Sequence, residues 1–473
     1  MIHGWMERIY YKLPVFMQNC IFSIYGWHLS RERYNRHFYK HLDRLKEMEY
    51  WTSEQIENYQ DMKISSLIKH AYNTVPFYRK WYDKEGINIE GIRSASDLKY
   101  LPILTKEMVE ENQHEMISTS FSRRSLIQAA TSGTTGTPLK IYYTPSGLAY
   151  QWALGWRHKN RFGLKLKDPY LMFGARVPVS QAQDHPPYWR VDYANKRVYL
   201  SQYHVSMKTI GDILDYLNKN QFEFFTGLPS AIYVFASLIE EYGLQLHNKP
   251  KYVVSASETL SLDKQSFISR VLEAPVTEMY GMTEFAGNMS KCEHGRFHVD
   301  FECCYIENKP IPDSDNHSLI LTGWGNPAMP FIRYEIGDFG RSLKQHCECG
   351  RNSISYAGIE GRLIDYVLTP DGRKITGFSP IFAKASNARE IQIYQKNCNE
   401  IEFRVISKRG FGINDKKAII QEFQKRGGKN MNIKFRIVKE LERSPTGKVR
   451  IVISDITREE NSLRLARFHD LHG

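Results

Sequence analysis

Cysteine is scarce in this chain of 473 residues: there are seven, an odd number, which excludes a disulfide framework. No apolar run is long enough to cross a bilayer. The most apolar stretch near the start, Leu13 to Trp27, is broken by Gln18, Asn19 and Ser23 and lacks the small residues of a signal-peptide cleavage site. These absences place the chain in the cytoplasm, with peripheral membrane association as the most that is expected. The formal net charge is +12, yet there is no dense basic block and no nucleic-acid-binding motif. Lys and Arg are spread along the whole chain, as on a solvated cationic surface, and nucleic acid is not an expected partner. Internal repeats and low-complexity segments are missing. So is the Gly-Lys-Ser/Thr triplet of a Walker loop, which disfavours a phosphotransferase.

What is present is a globular composition, 42% hydrophobic and 25% charged, in a chain long enough for at least two domains. The stretches Tyr34 to Met48 and Ser53 to Tyr72 carry apolar residues at three- and four-residue spacing, as amphipathic helices do. Further on, short apolar runs at Tyr170 to Phe173, Tyr252 to Val254 and Ser318 to Thr322 read as strands. Helix-like stretches at Thr209 to Asn220 and Ser230 to Tyr242 lie among them. Strands alternating with helices predict an α/β architecture with at least one largely parallel sheet. Near residue 362 the texture changes. Tyr366 to Leu368 and Arg373 to Thr376 flank the turn signal Pro370-Asp371-Gly372, followed by a strand at Ile401 to Ile406, a helix at Asn414 to Lys425 and a strand at Ile433 to Val438. The expected division is a helical region 1–100 of the large domain, an α/β core 101–361, and a mobile α+β domain 362–473.

The segment Thr131-Ser132-Gly133-Thr134-Thr135-Gly136-Thr137-Pro138-Leu139-Lys140 is the most informative. Two glycines permit positive φ and bring N–H groups close to an anion, and five hydroxyls add donors around the same space. Alone, such a turn is as readily a plain surface loop. It is followed by Tyr280-Gly-Met-Thr-Glu284, Arg333-Tyr-Glu-Ile-Gly-Asp338, Gly361-Arg-Leu-Ile-Asp365 and Ser444-Pro-Thr-Gly-Lys448. These five segments, in this order, resemble the signature set of the adenylate-forming superfamily of acyl-CoA synthetases, peptide-synthetase adenylation domains and luciferases. Within it, Ala71 to Tyr78, Leu101 to Lys106 and Ala328 to Tyr334 resemble the phenylacetate–CoA ligase-like proteins, in particular their capsular-polysaccharide, CapK-like branch.

The resemblance implies ATP-dependent conversion of a carboxylic acid to an acyl-adenylate, with release of pyrophosphate, then acyl transfer. The acceptor would be a thiol (coenzyme A or carrier-protein pantetheine) or an amine such as an amino sugar, in surface polysaccharide biosynthesis. It assigns the phosphates of ATP to Thr131, Ser132, Gly133, Thr134, Thr135 and Gly136. Thr283 would donate to the α-phosphate and Glu284 would hold Mg²⁺, an ion that prefers oxygen ligands. Asp338 would accept from the ribose hydroxyls, and Arg362 would add a ribose or phosphate contact. Ser257, Glu258 and Tyr280 complete the nucleotide site. Asp365 falls at the hinge, and Lys448 would bridge carboxylate and α-phosphate. Phe224, Phe225, Tyr233, Met282 and Phe285 flank the segments expected to form an apolar acid pocket. The competing reading is a catalytically idle relative that binds nucleotide or scaffolds a polysaccharide-synthesis complex.

Cys292 and His298 follow Glu284, and Cys347 and Cys349 lie in a later segment. Two Cys/His pairs can close a tetrahedral Zn²⁺ site, although C-x-C and C-x₅-H are unusual finger spacings; buried cysteines are also common as small hydrophobes. The family resemblance favours zinc. His294 and His346 are alternative ligands, and Cys303-Cys304 reads as strand packing, one side chain to each face.

Overall fold

A computed structural model describes residues 5–130, 139–173, 178–180, 183–256, 260–311, 314–360, 367–370, 374–375, 381, 385, 387–407, 410–427, 430–442 and 450–456. Four helices open the fold: α1 (Trp5–Lys12), α2 (Val15–Arg33), α3 (Arg36–Glu47) and α4 (Ser53–Thr74). α3 starts two residues later than its periodicity predicts, because the Asn35 side chain accepts from the His37 N–H and caps it. α4 begins on a capping box, in which Thr52 and Gln55 each accept the other's backbone N–H.

The large α/β body is built on one 13-stranded sheet. Its parallel part runs Arg197–Leu200, Tyr170–Phe173, Phe224–Gly227, Tyr252–Ala256, Val276–Gly281. The sequence predicts a largely parallel sheet; the structure is mixed. Beyond Val276–Gly281 the sheet continues antiparallel through Asn288–Lys291, Phe297–Val299, Ser355–Glu360, Phe331–Leu343, His317–Gly323 and Cys304–Pro310. Short turns between these later strands make antiparallel pairing available, whereas the helices Ile210–Lys219, Pro229–Glu241 and Leu262–Leu272 supply the crossovers that parallel pairing needs. One apolar cluster, including Leu171, Phe173, Phe225 and Phe235, packs the parallel strands against these helices. Another joins α3 and α4 to strands past residue 300 through residues such as Phe38, Ile68, Tyr78, Leu321 and Tyr334.

From residue 367 a separate apolar cluster forms around Ile393, Ile401, Phe403, Ile419 and Phe423. Val367–Leu368 pairs antiparallel with Lys374–Ile375, where the sequence places a hairpin. A four-stranded sheet follows, ordered Asn432–Ile437, Glu400–Ser407, Ala388–Asn397, Val452–Ser454, with the helix Ile413–Gly427. The strand Ala388–Asn397 escapes the sequence reading because Glu390, Gln392 and Gln395 are buried in it and hide its alternation. Gln392 Nε2 donates there to the carbonyls of Glu442 and Arg450.

Candidate active site

Three parallel strands end at Phe173, Gly227 and Ala256, and a fourth, the last, at Gly281. Open α/β sheets bind ligands beyond such carboxyl ends. Tyr280 lies at this edge, and its hydroxyl donates to Asp338 Oδ2 over 2.7 Å. Two residues picked out 58 positions apart in the sequence are therefore in contact.

Thr283 and Glu284 sit in the tight connection from Gly281 to the antiparallel strand Asn288–Lys291; Thr283 is partly exposed and Glu284 buried. The turn is closed by the Phe285 N–H on the Met282 carbonyl, with Phe285 at φ +56°. A Cβ at Gly281 would lie 2.7 Å from Asn288 Oδ1, so any larger residue there would have to displace the Asn288 side chain. Two side chains that the sequence reading overlooks hold this turn. The Tyr143 hydroxyl donates to the Thr283 carbonyl, and Gln151 Nε2 donates to the Met282 carbonyl at 3.1 Å. Burial, and then the nearby Glu284 carboxylate, push the Tyr143 phenol well above its usual range, so it stays a donor. Tyr143 belongs to the strand Lys140–Tyr143, which pairs with Ile127–Ala130 so that Ala130 faces Lys140. The ends of the Ser/Thr/Gly-rich segment are thus held together, and its outgoing strand is tied to Thr283. Nothing in the sequence singles out Tyr143, which reads as an ordinary strand residue.

Thr131, Ser132, Gly133, Thr134, Thr135 and Gly136 lie outside the described residues, as do Ser257, Glu258, Arg362, Asp365 and Lys448. The expectation for the apolar acid pocket needs correction. Phe224 and Phe225 are fully buried, stacked on Tyr170 and packed on Phe173 and Phe235 respectively, and Phe285 is buried against Tyr150. They fill the core. Tyr233 and Met282 remain partly exposed.

The ligand atoms of Cys292, His298, Cys347 and Cys349 all lie within 4.8 Å of one another. Cys292 Sγ is 3.7 Å from Cys347 Sγ, and Cys349 Sγ is 3.3 Å from His298 Nε2. A tetrahedron with metal–sulfur bonds of about 2.3 Å has edges of about 3.8 Å, so three thiols and an imidazole at these separations suit one Zn²⁺ ion. Burial lowers the His298 imidazole to about 4, leaving it neutral with a lone pair to give. Burial also raises the Cys347 thiol to about 12. At Cys349 burial is outweighed by hydrogen bonds from Arg351, whose backbone and guanidinium bring the thiol below its ordinary value. Cys303 departs from the strand-packing expectation: it precedes the strand that Cys304 begins, both are fully buried, and both thiols donate to the Asp300 carbonyl.

Two charge networks lie beside the cluster and the turn. Arg351 reaches Glu49 at 2.7 Å and Glu293 at 3.0 Å, and Arg161 also binds Glu49. Arg157 bridges Asp300 and Glu302, all three nearly inaccessible. Asp300 in turn accepts from Ser290 and from Asn288, the residue whose side chain lies against Gly281.

The chain is similar to several known proteins. The model of the AMP-binding enzyme family matches residues 124–317, and that of the CapK C-terminal domain matches residues 367–455. Protein CapK of Staphylococcus aureus is 25% identical over 459 residues, covering 95% of this chain and 100% of its own length. A phenylacetate-coenzyme A ligase of Thermus thermophilus is 24% identical over 355 residues, covering 68% of this chain and 74% of its own. Among solved structures, 2-hydroxyisobutyryl-CoA ligase in its postadenylation state superposes with a TM-score of 0.67 at 17% identity, over 88% of this chain and 94% of that one. This last likeness speaks to the fold.

Proposed function

Because the chain belongs to the adenylate-forming enzymes, in the phenylacetate–CoA ligase-like CapK branch, we propose that it activates a carboxylic acid with ATP and passes the acyl group to coenzyme A, a carrier-protein pantetheine or an amino sugar. The observation that carries the reading is the junction of Tyr280, Asp338 and the Thr283–Glu284 turn at the end of the last parallel strand, tied through Tyr143 to the strand leaving the Ser/Thr/Gly-rich segment. In the first half-reaction a carboxylate oxygen attacks the α-phosphorus, the bond to the bridging oxygen breaks, and pyrophosphate leaves. Two anions must meet, so the site has to offset charge at the phosphate without protonating the carboxylate.

Thr283 then donates to the α-phosphate, and Asp338, oriented by Tyr280, accepts from the ribose hydroxyls. Glu284 would hold Mg²⁺, whose charge offsets that of the phosphates. Ser257 and Glu258 border the adenine, Arg362 adds a ribose or phosphate contact, and Lys448 bridges carboxylate and phosphate. The chain works in the cytoplasm as a large domain to residue 361 and a lid from 362, turning at Asp365. The CapK likeness points the product toward surface polysaccharide. A panel of aryl, fatty and amino acids, scored by pyrophosphate and AMP formation from ATP, tests the proposal. No release with any acid would favour the idle-scaffold reading, and ADP as product would remove adenylation.

Asp365→Pro fixes φ at the hinge and should uncouple the half-reactions, sparing one and stopping the other. Separate assays of pyrophosphate release and of transfer from supplied acyl-adenylate check this; two unaffected rates would move the hinge elsewhere. For the Cys/His cluster, protein purified without a histidine tag or added metal should contain about one Zn²⁺ per chain. Binding at a closed four-ligand site counts as folding energy, so Cys347→Ser should lose metal and melt earlier while the folded fraction keeps its ATP affinity. Metal-free protein of equal stability would make these residues ordinary packing.

A further inference from the structure

α2 leaves more large apolar side chains outside than a helix that serves only the core. Its inward face is mixed: Phe22 packs against Tyr10 and Tyr199, while Gln18 accepts from Arg190 Nε at 2.6 Å, Asn19 from the Val191 N–H at 3.0 Å and Ser23 from the Tyr193 N–H at 2.9 Å. Gly26 lets the helix close onto Asp192. Its outward face is apolar. Phe16 and Ile24 are each 68% exposed, Trp27 is 52% exposed and Met17 40%. These side chains recur at helical spacing along about 16 Å of one face. A helix already docked through Phe22 and these hydrogen bonds, with Phe16, Met17, Ile24 and Trp27 left outside, exposes apolar surface that the fold does not use.

The charges around the stripe identify what covers it. Exposed Lys12 ends α1, four residues before Phe16 in the chain, and exposed Arg31 follows Trp27 by one turn of α2, with its guanidinium 4.8 Å from that ring. The acidic side chain of α2, Glu32, faces His28 at 3.5 Å. The first forty residues hold six Lys or Arg against two Asp or Glu, in a chain of net charge +12. No described helix is long and apolar enough to cross a membrane, so the stripe fits a helix lying in an interface. We propose that α2 docks this protein on an anionic membrane surface, with Phe16, Ile24 and Trp27 entering the headgroup boundary and Lys12 and Arg31 meeting lipid phosphates. Tryptophan and arginine at the rim suit that boundary, where an aromatic ring and a cation both find partners.

Flotation of the full chain with vesicles tests it. The protein should float with vesicles containing phosphatidylglycerol, far less with phosphatidylcholine alone, and less again in high salt, which screens the cations. The triple substitution Phe16→Ser, Ile24→Ser, Trp27→Ser removes only exposed groups. It should reduce binding about tenfold or more while melting temperature and pyrophosphate release stay unchanged. Lys12→Glu with Arg31→Glu should abolish the preference for anionic lipid. Failure of the parent protein to float, or equal flotation of the triple variant, would overturn the proposal. So would a parent dimer that the triple variant turns into monomer, since a second copy would then cover the stripe.

Discussion

Lys448→Ala should slow adenylate formation about 10²- to 10³-fold, the usual cost of deleting one group that meets charge developing in a transition state. The proposed contact is with the carboxylate and the α-phosphate, whose combined charge is greatest as the new P–O bond forms. Transfer from a supplied acyl-adenylate needs no such bridge, because pyrophosphate has already gone, and should stay near the parental rate. The two half-reactions, assayed separately on one preparation, decide the matter. Equal losses in both would make Lys448 a structural residue, and unchanged pyrophosphate release would take it out of the site.

The second large effect concerns stability. Arg157→Ala should cost about 3 to 5 kcal/mol, because it leaves Asp300 and Glu302 buried without their counter-charge. Burial alone would raise the Glu302 carboxyl, and Arg157 opposes that shift. Asp300 keeps Ser290 and Asn288 as donors, so Glu302→Gln in the Arg157→Ala background should recover part of the loss. Unfolding followed in denaturant, with soluble yield as a companion measure, reads both effects. A midpoint for Arg157→Ala equal to the parent's would mean that the carboxylates are accommodated without the arginine. Disturbance of Asn288 should also loosen Gly281 and the turn after it, so the surviving folded protein should release pyrophosphate more slowly.

Two of the juxtapositions in the candidate site involve residues that the sequence singles out in short contiguous segments, Tyr280 with Asp338 and the four Cys/His residues. The Tyr280–Glu284 turn and Asp338 were picked out because their segments, in order with three others, resemble a known signature set, and the Cys/His set because two ligand pairs of metal-binding type occur together and the same family pattern supports them. The alternating strands and helices of the parallel region were equally readable, since crossover helices carry their own periodicity. Tyr143 and Gln151 were not, because their contribution is a single hydrogen bond to a carbonyl over 130 residues away, with no local pattern. The charge networks were hidden for the same reason. Arginines and carboxylates scattered along a cationic chain look solvated until the fold encloses them. Phe224, Phe225 and Phe285 misled in the opposite sense: an apolar residue beside a motif reads as pocket lining, whereas here those residues close the core.

The hold of the N-terminal helices on the far end of the large sheet has a consequence for how the chain is made. Glu49 meets Arg351 across 302 residues, the Tyr59 hydroxyl donates to the Glu302 carbonyl, and Tyr78 bonds the carbonyl of Pro330 and the N–H of Ile332. At bacterial and eukaryotic synthesis rates of about 5 to 20 residues per second, those partners leave the ribosome about 15 to 60 s after the helices do. Over that interval the inner face of α4, with Ile56, Ile64, Leu67 and Ile68, has no sheet to cover it. The part of the chain made first is therefore among the last to be finished. A nascent chain stalled before residue 300 would present that face to chaperones and proteases, and a fragment confined to residues 124–317 would keep Arg161 but lack Glu49, the carboxylate it binds.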